Sequence, residues 1–334
     1  MSKKVLVTGC AGFIGYSITK DLLNNNFSVY GVDSLNDAYS EVLKKARLDN
    51  LLSNKSFTFN NIDLAEISQL DSIDESFDVI LHLAARAGVR QSFLQPDVYV
   101  RDNTLATTNI ANYAKNNSIS KLIISSTSSV YGDSGEQSVE ENVDELESPP
   151  SIYAATKISG ERIAKTILDD SGVILSIPRF FTVYGPWGRP DMSILRFIYW
   201  IVKGTPLRLY GDGEQRRAFT YIDDVVAALA KLIDEDTEGT FNIGSAKINT
   251  LNEAISYIEE KLDKKAQIEY LDKAYRDVNV VIPSLENSSN NLNWEPKISL
   301  KEGLAYTTDW CLSNIDLLDK IEYLYEGEES KSEN

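Results

Sequence analysis

Two groups of residues in this chain have the types and spacing to do chemistry together. Near the start, "VTGCAGFIG" sets Gly9, Gly12 and Gly15 three apart, after the apolar run Val5 to Val7 and before a helical stretch. Further on, "YAATK" sets Tyr153 and Lys157 four apart at the start of a predicted helix. Glycines that end a strand and open a helix let backbone amides approach a pyrophosphate at the positive end of the helix dipole. Gly9 suits the tight turn, Gly12 the close approach and Gly15 the packing of the helix, although G-x-x-G-x-x-G is one residue longer than the usual G-x-G-x-x-G. Asp33, 18 residues after Gly15 at the end of a predicted second strand, would accept hydrogen bonds from a ribose 2'-hydroxyl. It would also repel a 2'-phosphate, which favours NAD over NADP.

The tyrosine and lysine share one helical face. An ammonium beside a phenol favours phenolate and moves it from a pKa of about 10 toward the range in which a general base works. The strand end "ISSTSSVYG" adds hydroxyls, of which Thr127 can share a proton with Tyr153 and a substrate. Beside a nicotinamide, such a trio removes a proton from an alcohol while hydride leaves its carbon.

Placing these groups requires a doubly wound sheet. Strands are predicted at Lys4 to Thr8, Ser28 to Val32, Phe57 to Asn61, Val79 to Leu83, Lys121 to Ser126 and Val173 to Arg179, alternating with helices. The longest helices are expected from about Pro96 to Asn117 and from about Tyr153 to Asp170. This pattern is α/β, a Rossmann-type parallel sheet with helices on both faces. We expect residues 1–180 to form the dinucleotide-binding domain, with segments near 215–245 rejoining it, residues 181–320 mainly a smaller mixed α/β lobe, and 321–334 an acidic tail. Two helices of the lobe open with capping-box signatures, Thr250 with Glu253 and Ser299 with Glu302.

Composition narrows the function. The 334 residues are 43% hydrophobic and 25% charged, with no apolar run near the roughly 18 residues of a membrane span. The N-terminus runs straight into a strand without a signal-peptide core, so a cytoplasmic location is expected. Two cysteines, Cys10 and Cys311, and one histidine, His82, supply neither a disulfide framework nor a metal site. Cys10 reads as a small filler and His82 as a core residue. A net charge of -17 speaks against nucleic acid. An anionic ligand must therefore be met by a few arginines.

In this order, "TGCAGFIG", "HLAARAG", "SSTSSVYG", "YAATK" and "RRAFTYIDDV" resemble the extended short-chain dehydrogenase/reductases of the nucleotide-sugar epimerase and dehydratase group, over about residues 3–312. Within the group, "RFFTVYGPWGRPDM" (179–192), "DSLNDAYSEVLKKARLDNL" and "AGVRQSF" are similar to the branch acting on UDP-glucuronate at C4. The resemblance implies a tightly held NAD, with Tyr153 as base, Lys157 bridging the nicotinamide ribose and Thr127 as hydroxyl partner. Residues implied at the cofactor are Gly9, Gly12, Phe13, Ile14, Gly15, Asp33, Asp63, Leu64, Leu83, Ala84, Ala85, Asn103, Ser125, Tyr153, Lys157 and Phe180. It also implies a UDP-sugar substrate and a homodimer built on the two long helices.

Dehydratases of the group carry Asp-Glu after the threonine, where this chain has Ser128 and Ser129. Hydroxyls suit a sugar carboxylate, and Thr182 is placed by resemblance to help. Arg189, Arg217 and Arg276 are expected at the pyrophosphate, in that order, and Arg90 at the sugar or its loop. The chain departs from its relatives at Arg86, where they commonly have Gln, at Ala218 and Phe219 after Arg217, and at "VIPSLENSSNNL". These changes are expected near the nucleotide-binding lobe. A neutral-sugar epimerase, a UDP-glucuronate decarboxylase and a non-catalytic binding protein remain alternatives.

Overall fold

A computed structural model describes residues 3–142, 149–272 and 278–321. The alternation of buried apolar runs with amphipathic helices builds a parallel main sheet. Its strands are β1 (Lys4–Thr8), β2 (Ser28–Asp33), β3 (Phe57–Asn61), β4 (Val79–His82), β5 (Lys121–Ile124), β8 (Ile174–Phe180) and β13 (Gly239–Ile243), and β6 (Ser126–Thr127) also pairs with β8. The spatial order is β13-β8-β5-β4-β1-β2-β3. The strand order reverses beside β1, which opens a crevice at the carboxyl ends of β1 and β4, the usual ligand position in such sheets. The central strands are buried on both faces, as Val5, Leu6, Val7, Ile80 and Leu81 show with no exposure.

Helices α1 (Phe13–Asn24), α2 (Glu41–Leu52), α3 (Ile67–Leu70), α4 (Val89–Leu94), α5 (Pro96–Tyr99), α6 (Ala106–Asn116) and α7 (Ile152–Leu168) cover the two faces. The helix expected from Pro96 to Asn117 is interrupted by a π-helical turn over Val100–Leu105. The helix expected to reach Asp170 stops at Leu168, because Asp169 turns to an extended ψ of 131° and Asp170 follows with a left-handed φ of 55°. The strand expected through Ser126 breaks at Ser125, so that β6 shifts onto β8.

The remaining strands pair two by two. β7 (Ser138–Val139) lies beside β16 (Ile282–Pro283), β9 (Thr182–Tyr184) beside β12 (Phe219–Tyr221), β10 (Leu207–Tyr210) beside β15 (Ile268–Leu271), and β11 (Arg216–Arg217) beside β14 (Asn249–Thr250). Near these pairs, the Thr250 and Glu253 capping box is reciprocal, whereas Ser299 caps Glu302 one way only. Arg276 and residues 322–334 of the acidic tail lie outside the described residues.

Candidate active site

The glycine loop owes its shape to backbone crowding. The N–H of Gly9 donates to the Val32 carbonyl at 2.7 Å, which ties the loop to the end of β2. Gly9 has φ 71°, and a Cβ there would stand 2.7 Å from the Ala84 backbone nitrogen; one at Gly15 would fall 2.0 Å from the Gly9 carbonyl oxygen. Only glycine fits both positions. Helix α1 opens at Gly12 with no side-chain cap and no acidic residue in its first turn. Its first amides are thus free for an anion. Asp33 stands beside them, its carboxylate accepting from the amides of Ala11 at 3.1 Å and Leu35 at 2.9 Å. These features fit the diphosphate and adenosine ribose of NAD.

Across the crevice, Thr127 caps a 3-10 turn over Ser128–Tyr131. The Ser129 amide donates to its hydroxyl at 3.2 Å, and that hydroxyl donates to the Ser129 hydroxyl at 3.2 Å. Ser151 caps α7 by accepting from the Ala154 amide at 3.1 Å, which sets Tyr153 in the first turn. Tyr153 packs edge-on to Tyr99, their centroids 6.3 Å apart. Tyr99 in turn donates to the Ala87 or Gly88 carbonyl of the loop after β4. Burial pushes the Tyr153 phenol above its ordinary pKa, while the Thr127 hydroxyl and the Arg189 guanidinium pull it back.

Lys157 is expected to act on the phenol; the cation acting on it in the structure is Arg189. The Lys157 ammonium is buried, and its charge is coupled to Glu161 and His82. Burial lowers its pKa to about 8, with Glu161 opposing. Glu161 lies two turns along α7 from Tyr153 and is 3% exposed. It accepts from the Ser126 hydroxyl and forms a two-pronged pair with Arg179, at 3.0 and 2.6 Å.

Arg189 lies at this end of the crevice, where its charge acts on Tyr153, Tyr99 and Tyr39. Asp191 engages it in two places, one at 3.0 Å. Burial opposes the charge on Asp191, but the guanidinium outweighs it and holds the carboxyl below its ordinary range. Thr182 begins β9, half-buried, and Phe180 ends β8. Arg217 is held in the smaller lobe, donating to the carbonyls of Arg216 and Asn279, and Arg90 stacks 4.6 Å from the centre of the Tyr210 ring.

On the cofactor side, Asp63 pairs with Arg101 at 2.5 Å and the Leu64 carbonyl accepts from Asn109 at 2.8 Å. Leu83 donates to the Thr8 carbonyl, and the Ala84 amide to the Thr8 hydroxyl at 3.2 Å. Asn103 bonds the backbone of Arg86 and the Thr156 hydroxyl. Arg86, a departure expected near the nucleotide-binding lobe, lies instead in the loop following β4. Sequence reasoning passed over Arg47, which is fully buried and donates to the carbonyls of Ala11, Trp187 and Gly188 and to the Tyr39 hydroxyl. It joins the glycine loop to the segment carrying Arg189. Its visible signal was a cation on the buried face of α2.

His82 bridges Thr8 at 2.8 Å and Thr107 at 3.1 Å, and burial lowers its pKa to about 3. The unfolded chain protonates this group below about pH 6.5 while the folded one does not, so stability falls as pH drops from there toward 3. Being the single histidine, it should give a slope approaching about 1.4 kcal/mol per pH unit between pH 6 and 5. Urea unfolding at several pH values measures it; a flat profile would contradict the neutral assignment.

The glycine loop with Asp33 beside it, and Tyr153, Lys157 and Thr127 on neighbouring elements, fit a nicotinamide-dependent enzyme class. The NAD dependent epimerase/dehydratase family profile matches residues 5–244, and the chain belongs to that family. It is 41% identical to the UDP-glucuronate 4-epimerase of Thermodesulfobacterium geofontis over 319 residues, covering 95% of this chain and 98% of that one. The UDP-glucuronic acid 4-epimerase from Bacillus cereus, solved with UDP-glucuronic acid and NAD, matches with TM-score 0.85 at 34% identity, covering 93% of this chain and 99% of that one. A dTDP-glucose 4,6-dehydratase from Streptomyces venezuelae gives TM-score 0.86 at 25% identity, over 94% of this chain and 98% of that one. Overall shape thus leaves the reaction to be decided by the site.

Proposed function

We propose that the protein interconverts UDP-glucuronate and UDP-galacturonate by NAD-dependent epimerisation at C4. The observation that carries this is the turn after Thr127. Its hydroxyls, Thr127 and Ser129 linked to one another beside half-buried Ser128, stand where loss of water would call for an acid and a base. A carboxylate sugar is matched by hydroxyl donors, with Thr182 and the Arg189 guanidinium completing the set.

In this reading Gly9, Gly12, Gly15 and Asp33 hold NAD, with Lys157 at its nicotinamide ribose. When bound, NAD would supply reversible two-electron oxidation of the C4 carbinol. Tyr153 takes the C4 hydroxyl proton, assisted by Thr127, and keeps it while the 4-keto sugar turns about its diphosphate. It then returns the proton to the C4 oxygen, while the opposite face of C4, presented by that turn, would receive the hydride back. Because a 4-keto uronate is a β-keto acid, the Ser128, Ser129, Thr182 and Arg189 contacts must hold the carboxylate out of line with the carbonyl orbital. Arg217 and Arg276 are assigned to the diphosphate and Arg90 to its supporting loop.

The proposal extends to a homodimer, because Phe93, Leu94, Val100 and Leu105 leave an exposed apolar face on α4 and the long helix. A cytoplasmic location belongs to the same reading; no helix among the described residues is long and apolar enough to cross a membrane. Incubation with UDP-glucuronate should yield an isomer of unchanged mass that co-elutes with UDP-galacturonate. A product lighter by carbon dioxide, or no turnover by protein holding NAD, would overturn the assignment.

A further inference from the structure

In the main sheet β1 lies between β2 and β4. A link between the segments following β2 and β4 therefore crosses the end of β1, where the glycine loop begins. Arg86 makes such a link. Its Nη2 donates to Asp37 Oδ1 at 3.1 Å, and its Nε to Asp102 Oδ2 at 3.0 Å. One end of the link is firmly built. Asn103 accepts from the Arg86 amide at 2.7 Å and donates to the Arg86 carbonyl at 3.1 Å and to Thr156 at 3.0 Å. Asp102 and Asn103 both belong to the π turn, and both bond Arg86.

The other end can open. The Asp37 side chain is 90% exposed, whereas Arg86 is 13% exposed. Next to Asp37, Asn36 is pinned to α2, its side chain accepting from Lys44 at 2.8 Å. A single ion pair in water, between two anchored segments, is thus the breakable element of this crossing.

We infer that Arg86 and Asp37 form a clasp over the dinucleotide cleft, which must part for the cofactor to exchange and which holds it between turnovers when closed. The inference rests on the cofactor reading above. Glutamine at position 86 could bond Asp37 but would carry no charge to hold it.

The test follows dinucleotide release from the full-length protein, without turnover. Protein loaded with NADH is chased with excess NAD and the nicotinamide fluorescence is recorded. Arg86→Gln and Asp37→Asn should each release about threefold to tenfold faster, the range of a partly exposed ion pair. The double variant should be no faster than either single one, since both remove one interaction, and Asp37→Glu should stay slow. Salt at about 0.5 M should speed release from the unaltered protein and leave the two variants unchanged. Asp37 is too exposed for Asp37→Asn to endanger folding. Equal release rates from unaltered and Asp37→Asn protein would overturn the clasp alone; an unaltered protein that binds no dinucleotide would overturn the cofactor reading with it.

Discussion

Tyr153→Phe should lower the rate of UDP-glucuronate turnover by about a thousandfold, within the range that general acid-base groups contribute, while bound NAD and thermal stability stay unchanged. The ring survives the substitution, so its edge contact with Tyr99 survives too. Only the hydroxyl is lost, and with it the bond to Thr127. The same geometry explains why the phenol needs cationic help. Burial raises its pKa, and Arg189 is the cation in the structure that acts against this. Turnover within tenfold of the parent would remove Tyr153 from the reaction.

Glu161→Ala should have the largest effect on stability. Glu161 and Arg179 are 3% and 1% exposed, and removing the carboxylate would leave a buried guanidinium without its counter-charge. Breaking one side of such a pair costs about 3–5 kcal/mol. Arg179 would keep its bonds to the Tyr131 hydroxyl at 3.0 Å and the Glu141 carbonyl at 2.7 Å, both neutral. The loss also reaches the site, because Ser126 precedes Thr127 and Glu161 is the charge that raises the pKa of Lys157. Without it, the lowering of the Lys157 pKa by burial loses its opposing charge. The urea midpoint measures the effect, and the double variant Glu161→Leu, Arg179→Met should recover much of it. A single-variant loss under about 1 kcal/mol would contradict the role assigned to the pair.

These buried pairs mark the boundary of what the sequence makes visible. The glycine loop, Asp33 and the Tyr153–Lys157 spacing are local patterns, whose geometry follows from a strand end or one helical turn. Glu161 and Arg179 are 18 residues apart on different elements, and Arg47 reaches carbonyls as far as 141 residues away. No period or motif relates such positions. Arg179 did leave a trace, as a charge inside the apolar run "VILSIPRF", which calls for a buried partner without naming it. The π turn left none, since "VRDNTL" holds no glycine or proline to mark a change of helix type. Arg86 was readable as a departure, but its crossing to Asp37 was not.

The most direct test is the fate of hydrogen at C4. UDP-glucuronate carrying deuterium at C4 is incubated in ordinary water with protein holding unlabelled NAD, over many turnovers. If oxidation is borrowed from the cofactor and repaid within the site, the isomer formed retains deuterium at C4 and no reduced dinucleotide accumulates in solution. Loss of the label to water during isomerisation would contradict that account.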